Sequence, residues 1–115
     1  MTRILVIDDD AMIRSLLRAV LERDGYDVVE AVNGADGLQQ YQATRPDLVM
    51  TDLQMPVMDG LAVLQALQRV VPTPAVIAIS GDQHDLTQAQ TLTPYTFAKP
   101  LLLQEILTVV HALEA

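Results

Sequence analysis

Residues Ile4-Leu5-Val6-Ile7-Asp8-Asp9-Asp10 set four consecutive large apolar side chains directly against three carboxylates. An apolar run with no polar residue at alternate positions is the pattern of a strand buried on both faces, as in a parallel sheet covered by helices. The period then changes. Ile13, Leu16, Leu17, Val20 and Leu21 follow the i, i+3, i+4, i+7, i+8 spacing of one apolar helix stripe, the arginines fall on the outer face, and Gly25 stands where a left-handed C-terminal cap belongs. The same alternation recurs down the chain, with strands expected at 4–7, 28–31, 48–51, 75–79 and, more weakly, 96–98.

Between those strands the helices are unequal. The second, about 35–44, has Leu38 and Tyr41 as inward positions and Pro46 to close it; the third carries Leu61, Leu64, Leu67 and Val71 before Pro72. From Gly81 to Pro94 only Leu86, Ala89 and Leu92 are core candidates among Gln and Thr, so a short fourth helix is expected there. The fifth repeats the stripe with Leu103, Ile106, Leu107 and Val110. Strands linked by helical crossovers imply right-handed βαβ units and an open parallel α/β sheet with helices on both faces.

At 115 residues the chain is expected to form one domain, 1–115. Half of its residues are apolar, and it has no cysteine, which excludes disulfides and thiolate chemistry. Its formal charge of -8 has the wrong sign for holding nucleic acid or anionic lipid directly. No apolar run approaches the about 20 residues of a membrane span, and no signal peptide opens the chain, so a cytoplasmic protein with no membrane partner is expected. Six of the seven cations are arginine; the single lysine is Lys99, before Pro100.

Ligands of open α/β sheets bind beyond the carboxyl ends of the strands. There the unusual residues collect: Asp8-Asp9 after strand one, Thr51-Asp52 at strand three, Ser80-Gly81 at strand four and Lys99-Pro100 at strand five. Taken singly each has an ordinary reading: Asp9 or Asp10 as a helix cap, Ser80 as a turn residue, Lys99 as a solvated side chain, and 52–60 as a polar loop. Together they make one crevice. Up to three carboxylates there call for a cation, and with neither His84 nor His111 at a strand end the hard oxygen set suits Mg2+ or Mn2+. Ser80 and Lys99 would serve the oxygens of a phosphoryl group, and a carboxylate can itself be the nucleophile that accepts one.

These residues resemble the receiver domain of bacterial two-component response regulators over essentially the whole chain. The resemblance rests on Asp8-Asp9 after an Ile-Leu-Val-Ile strand, on Thr51-Asp52-Leu53-Gln54-Met55-Pro56-Val57-Met58-Asp59-Gly60, on Ser80-Gly81 and on Lys99-Pro100. It implies a flavodoxin-like doubly wound sheet of five parallel strands in the order 2-1-3-4-5. It further implies that Asp52 accepts a phosphoryl group from a phosphohistidine on a sensor histidine kinase or histidine phosphotransfer protein. Asp8, Asp9, Asp52 and the backbone carbonyl of Gln54 would hold Mg2+; Ser80 would be the switch hydroxyl and Lys99 the ion-pair partner of the phosphoryl group. The Lys-Pro peptide would be cis, Gly60 would start the third helix, and Met55-Pro56 would shape the loop over the metal.

The chain departs from the family pattern in three places. Receivers usually carry an aromatic three residues before the lysine, where this chain has Thr96 between Tyr95 and Phe97; either Phe97 is core and Tyr95 exposed, or a register shift brings one of them into that position. The interval from Ser80 to Lys99 is shorter than usual, which trims the fourth helix or its loop. Gln54 and Asp82 follow Asp52 and Ser80 by two residues and are expected to tune the lifetime of the phosphoryl group.

The leading expectation is a signalling switch, self-modifying rather than enzymatic, that alters the binding of a downstream protein through the face of helix four, strand five and helix five. A monomer or a weak dimer through that face fits, with Leu101, Leu102 and Leu103 supplying apolar surface. The chain ends at Leu113-Glu114-Ala115, just after the last expected helix, so it reads as a stand-alone regulator or as the receiver of a longer one. The enzymatic alternative, an aspartyl-phosphate-forming phosphohydrolase, typically needs an acid two residues past the nucleophile, where this chain has Gln54. A flavin-binding reading lacks a glycine-rich phosphate loop and any tryptophan.

Overall fold

The computed structural model describes residues 2–55 and 57–114. Five strands alternate with five helices: β1 Arg3–Ile7, α1 Ala11–Arg23, β2 Asp27–Ala31, α2 Gly34–Thr44, β3 Leu48–Asp52, α3 Gly60–Leu67, β4 Ala75–Ser80, α4 Gln83–Ala89, β5 Tyr95–Ala98 and α5 Leu103–Glu114. All strand pairs are parallel, in the order β2-β1-β3-β4-β5. This is the expected doubly wound sheet, and α4 is short, at seven residues.

Strand parity divides the core into two layers. Ile4 and Val6 of β1, Leu48 and Met50 of β3, and Ile77 and Ile79 of β4 pack on Leu17 and Leu21 of α1 and on Ile106 and Val110 of α5. Their neighbours Leu5, Ile7, Val49, Val76 and Ala78 face Tyr41 of α2, Leu64 and Leu67 of α3, and Leu86 of α4. Because both parities are apolar, the three inner strands are covered on both sides, which is why their sequences show no alternation.

The helix ends follow from local chemistry. Asp10, Asn33, Asp59 and Asp82 each accept a backbone N–H of the first turn that follows, so α1 to α4 all start on an Asx cap. α1 closes with Gly25 at φ +90°, where Gly25 N–H donates to the Glu22 carbonyl and Tyr26 N–H to that of Leu21. Arg45, in the left-handed region at φ 49°, ends α2 ahead of Pro46.

Several sequence expectations are corrected. Leu16 is 44% exposed and lies off the buried stripe of α1, whose fully buried residues are Leu17 and Leu21. Val71 is 91% exposed, because α3 stops at Leu67 and the chain turns toward a cis Val71-Pro72 bond. Arg14 does not face outward; it folds back over the carboxyl end of β1. Tyr95 and Phe97 pair with Ile77 and Ile79 without a shift of register, and both pack half-buried on the α1/α5 layer. Tyr95 is therefore not exposed, and Thr96 holds the opposite face toward α4, where Gln90 Nε2 lies 3.5 Å from its hydroxyl.

Candidate functional site

Register brings the polar residues together. Ile7 pairs with Thr51, Asp52 with Ile79, and Ser80 with Ala98, so β1, β3, β4 and β5 end at one edge of the sheet. Asp8 N–H donates to the Ala31 carbonyl, Leu53 N–H to that of Ile79, and Lys99 N–H to that of Ser80, which fixes the first residue beyond each strand. Gly60 lets the loop return closely: a Cβ there would stand 2.3 Å from the Asp52 carbonyl oxygen and 2.7 Å from Leu53 Cα. It begins α3, as the sequence suggests.

Asp52 is buried, and both its oxygens are engaged. Lys99 Nζ donates to Oδ2 at 2.9 Å, and the backbone N–H of Gln54 donates to Oδ1 at 3.0 Å. Asp8 is also buried and accepts the Asp10 N–H on Oδ1 at 2.9 Å, whereas Asp9 is exposed. Carboxylate oxygens of Asp8, Asp9 and Asp52 all lie within 4.8 Å of one another. The peptide bond from Lys99 to Pro100 is cis.

Electrostatics makes this an unfavourable place for three anions. Burial pushes the Asp8 carboxyl up to about 6, and the charges of Asp52 and Asp9 add to that, against the Asp10 N–H and Lys99. Lys99 is driven down by burial, but its bond to Asp52 and the charges of Asp52, Asp8 and Asp9 prevail and leave it raised. A hard divalent cation fits the set: three carboxylates from two strand ends, oxygen donors only, crowded where burial and mutual repulsion disfavour their charge.

Ser80 is fully buried but turned to α4. Its hydroxyl oxygen accepts the Asp82 N–H at 3.0 Å, and the hydroxyl points to Asp85 Oδ2 at 3.4 Å. Asp82 spends its carboxylate on the cap of α4, accepting the His84 N–H at 2.8 Å. The Gln54 side chain is exposed beside the site; Pro56 lies outside the described residues. Sequence reasoning missed Arg14, whose Nη1 donates to the Asp8 carbonyl at 2.7 Å, and Glu30, which takes both Arg14 and Arg18. The one available signal was an acid in a short strand opposite two arginines a helical turn apart.

A model of the response regulator receiver domain matches residues 4–111. The chain belongs to this family. The receiver is 35% identical over 114 residues to the transcriptional regulatory protein ResD of Bacillus subtilis, covering 97% of this chain and 48% of that regulator. It is 38% identical over 80 residues to the chemotaxis protein CheY of the same organism, covering 69% of this chain and 67% of CheY. The chain thus spans about half the length of the transcriptional regulators it matches. Among solved structures, the response regulator TrrA of Thermotoga maritima in complex with Mg2+ and BeF superposes with a TM-score of 0.90 at 29% identity, covering 98% of this receiver and 99% of that chain. Among the described residues, no helix is long and apolar enough to cross a membrane.

Proposed function

We propose that this receiver accepts a phosphoryl group on Asp52 and uses it to change the binding of a protein partner. The observation that carries the reading is the setting of Asp52: a buried carboxylate held by Lys99 Nζ and the Gln54 N–H, with Asp8 and Asp9 within metal-bridging distance. The donor is a phosphohistidine on a sensor histidine kinase or a histidine phosphotransfer protein. An Asp52 oxygen attacks phosphorus, the O–P bond forms as the P–N bond breaks, and the electron pair leaves with the imidazole. Lys99 is freed from the carboxylate to pair with a phosphoryl oxygen, and the Ser80 hydroxyl turns from Asp82 and Asp85 to another. Asp8, Asp9, Asp52 and the Gln54 carbonyl would hold Mg2+ or Mn2+, which neutralises charge on the phosphoryl oxygens when bound. The TrrA structure, solved in complex with Mg2+ and BeF, supports Mg2+ as the cation in general terms.

The receiver is a switch and not an enzyme in turnover. Residues 1–115 act as one receiver unit in the cytoplasm, monomeric or weakly dimeric through α4, β5 and α5, without direct contact to nucleic acid. Intact mass after incubation with acetyl phosphate tests the reading. One phosphoryl group gained only with Mg2+, and absent from Asp52→Asn, is the expected result. No adduct, together with no conformational response to beryllofluoride, would overturn it.

A further inference from the structure

Arg14 lies on the second turn of α1, yet its side chain is only 15% exposed, against 36% for Arg18 and 72% for Arg23. It reaches in two directions. Nη1 donates to the Asp8 carbonyl at 2.7 Å, and Nε donates to Glu30 Oε1 at 3.1 Å. Glu30 stands on β2 and takes Arg18 Nε on its other oxygen at 2.6 Å, and that hydrogen bond above all holds its carboxyl below the usual range. The anchor is thus itself held from both sides.

The carbonyl that Arg14 grips belongs to the peptide joining Asp8 to Asp9. A peptide unit is planar and stiff, so fixing its oxygen fixes the plane from which both side chains spring. This plane lies just past the last residue of β1, and its carbonyl takes its bond from a side chain instead of the ladder. A planar guanidinium with donors on separate edges suits such a bridge; an ammonium has one donating centre. We infer that Arg14, anchored by Glu30, is a positioning residue that holds the Asp8–Asp9 peptide in the orientation a divalent cation requires. The inference rests on the metal reading above.

A merely structural ion pair makes a different forecast, since partly exposed pairs contribute little and Arg18 shares the same acceptor. Calorimetric titration of Mg2+ into the full chain separates the two, using the wild type, Arg14→Met, Arg14→Lys and Arg18→Met. Removing a group that orients a metal ligand typically weakens binding by about tenfold or more. Arg14→Met is expected to weaken Mg2+ by about tenfold, and Arg18→Met, which also loses a bond to Glu30 but does not touch Asp8, by less than about twofold. Arg14→Lys keeps the charge and loses the second arm, so it should stay severalfold weaker, and it carries the test if Arg14→Met fails to fold. Wild-type affinity in Arg14→Lys, or equal weakening in Arg14→Met and Arg18→Met, overturns the inference. No Mg2+ binding by the wild type overturns the metal reading and the inference with it.

Discussion

Replacing Asp8 by asparagine should make the receiver more stable and, in the same stroke, weaken the proposed metal site. Asp8 in the fold titrates near 6 instead of 3.8, chiefly because it is buried. Between those values the folded state binds the extra proton, so stability is present at low pH and is lost as pH rises through about 6. At 1.36 kcal/mol per pH unit, the ionised group costs about 3 kcal/mol at pH 8 and about 1.5 kcal/mol at pH 5. The amide of Asp8→Asn would keep an oxygen to accept the Asp10 N–H and carry no charge. Urea unfolding in EDTA should therefore show the Asp8→Asn variant ahead by a margin that widens by about 1.5 kcal/mol from pH 5 to pH 8. Millimolar Mg2+ should narrow the margin, since only the wild type gains a strong site. A margin independent of pH, or a variant less stable than the wild type at pH 8, would refute the reasoning.

Lys99→Met leaves Asp52 buried beside Asp8 without its cation; with Lys99 one-third exposed, a loss of about 1–3 kcal/mol is expected in EDTA melts, and Asp52→Asn in the same background should restore most of it. Gly60→Ala drives a methyl against the Asp52 carbonyl and Leu53 Cα, both backbone, so at least about 1–3 kcal/mol of stability and most acetyl phosphate labelling should be lost. Leu64→Ala, in the fully buried α2/α3/α4 layer, should cost about 2–5 kcal/mol, whereas Val71→Ser at a 91% exposed position should stay within about 0.5 kcal/mol. Equal effects in the last pair would contradict the burial assigned to them.

The fold was legible because strands covered on both faces write uninterrupted apolar runs, and 4–7, 48–51 and 75–79 do so. Asp8, Asp9, Asp52 and Lys99 were legible because a strand end is a fixed address: register, not loop geometry, brings them together. Arg14 was not. Its position has the phase of the buried Leu17 and Leu21, three and seven residues on, but a cation there reads as solvated, and only a long side chain bending back over β1 takes its guanidinium to Asp8, which periodicity does not encode. Val71 misled for a related reason: it continues the spacing of α3 beyond the point where the helix stops. Tyr95 and Phe97 share one strand parity, so both were bound to take the same face, a conclusion available from period two alone.

Four helices begin on an Asp or Asn side chain, three of them aspartates, and their caps crowd the same rim as Asp8, Asp9 and Asp52. Side chains recruited to tie down local backbone thereby add three carboxylates to the end of the sheet that already holds Asp8, Asp9 and Asp52. A rim of this kind filters what approaches it: polyanions are turned away at a distance, and only donors that are small, or accompanied by positive charge, come close. Added salt shortens the reach of that filter to about 8 Å at 0.15 M. Labelling by a small anionic donor should therefore quicken as ionic strength rises at constant free Mg2+, the opposite of what an enzyme with a cationic phosphate pocket would do.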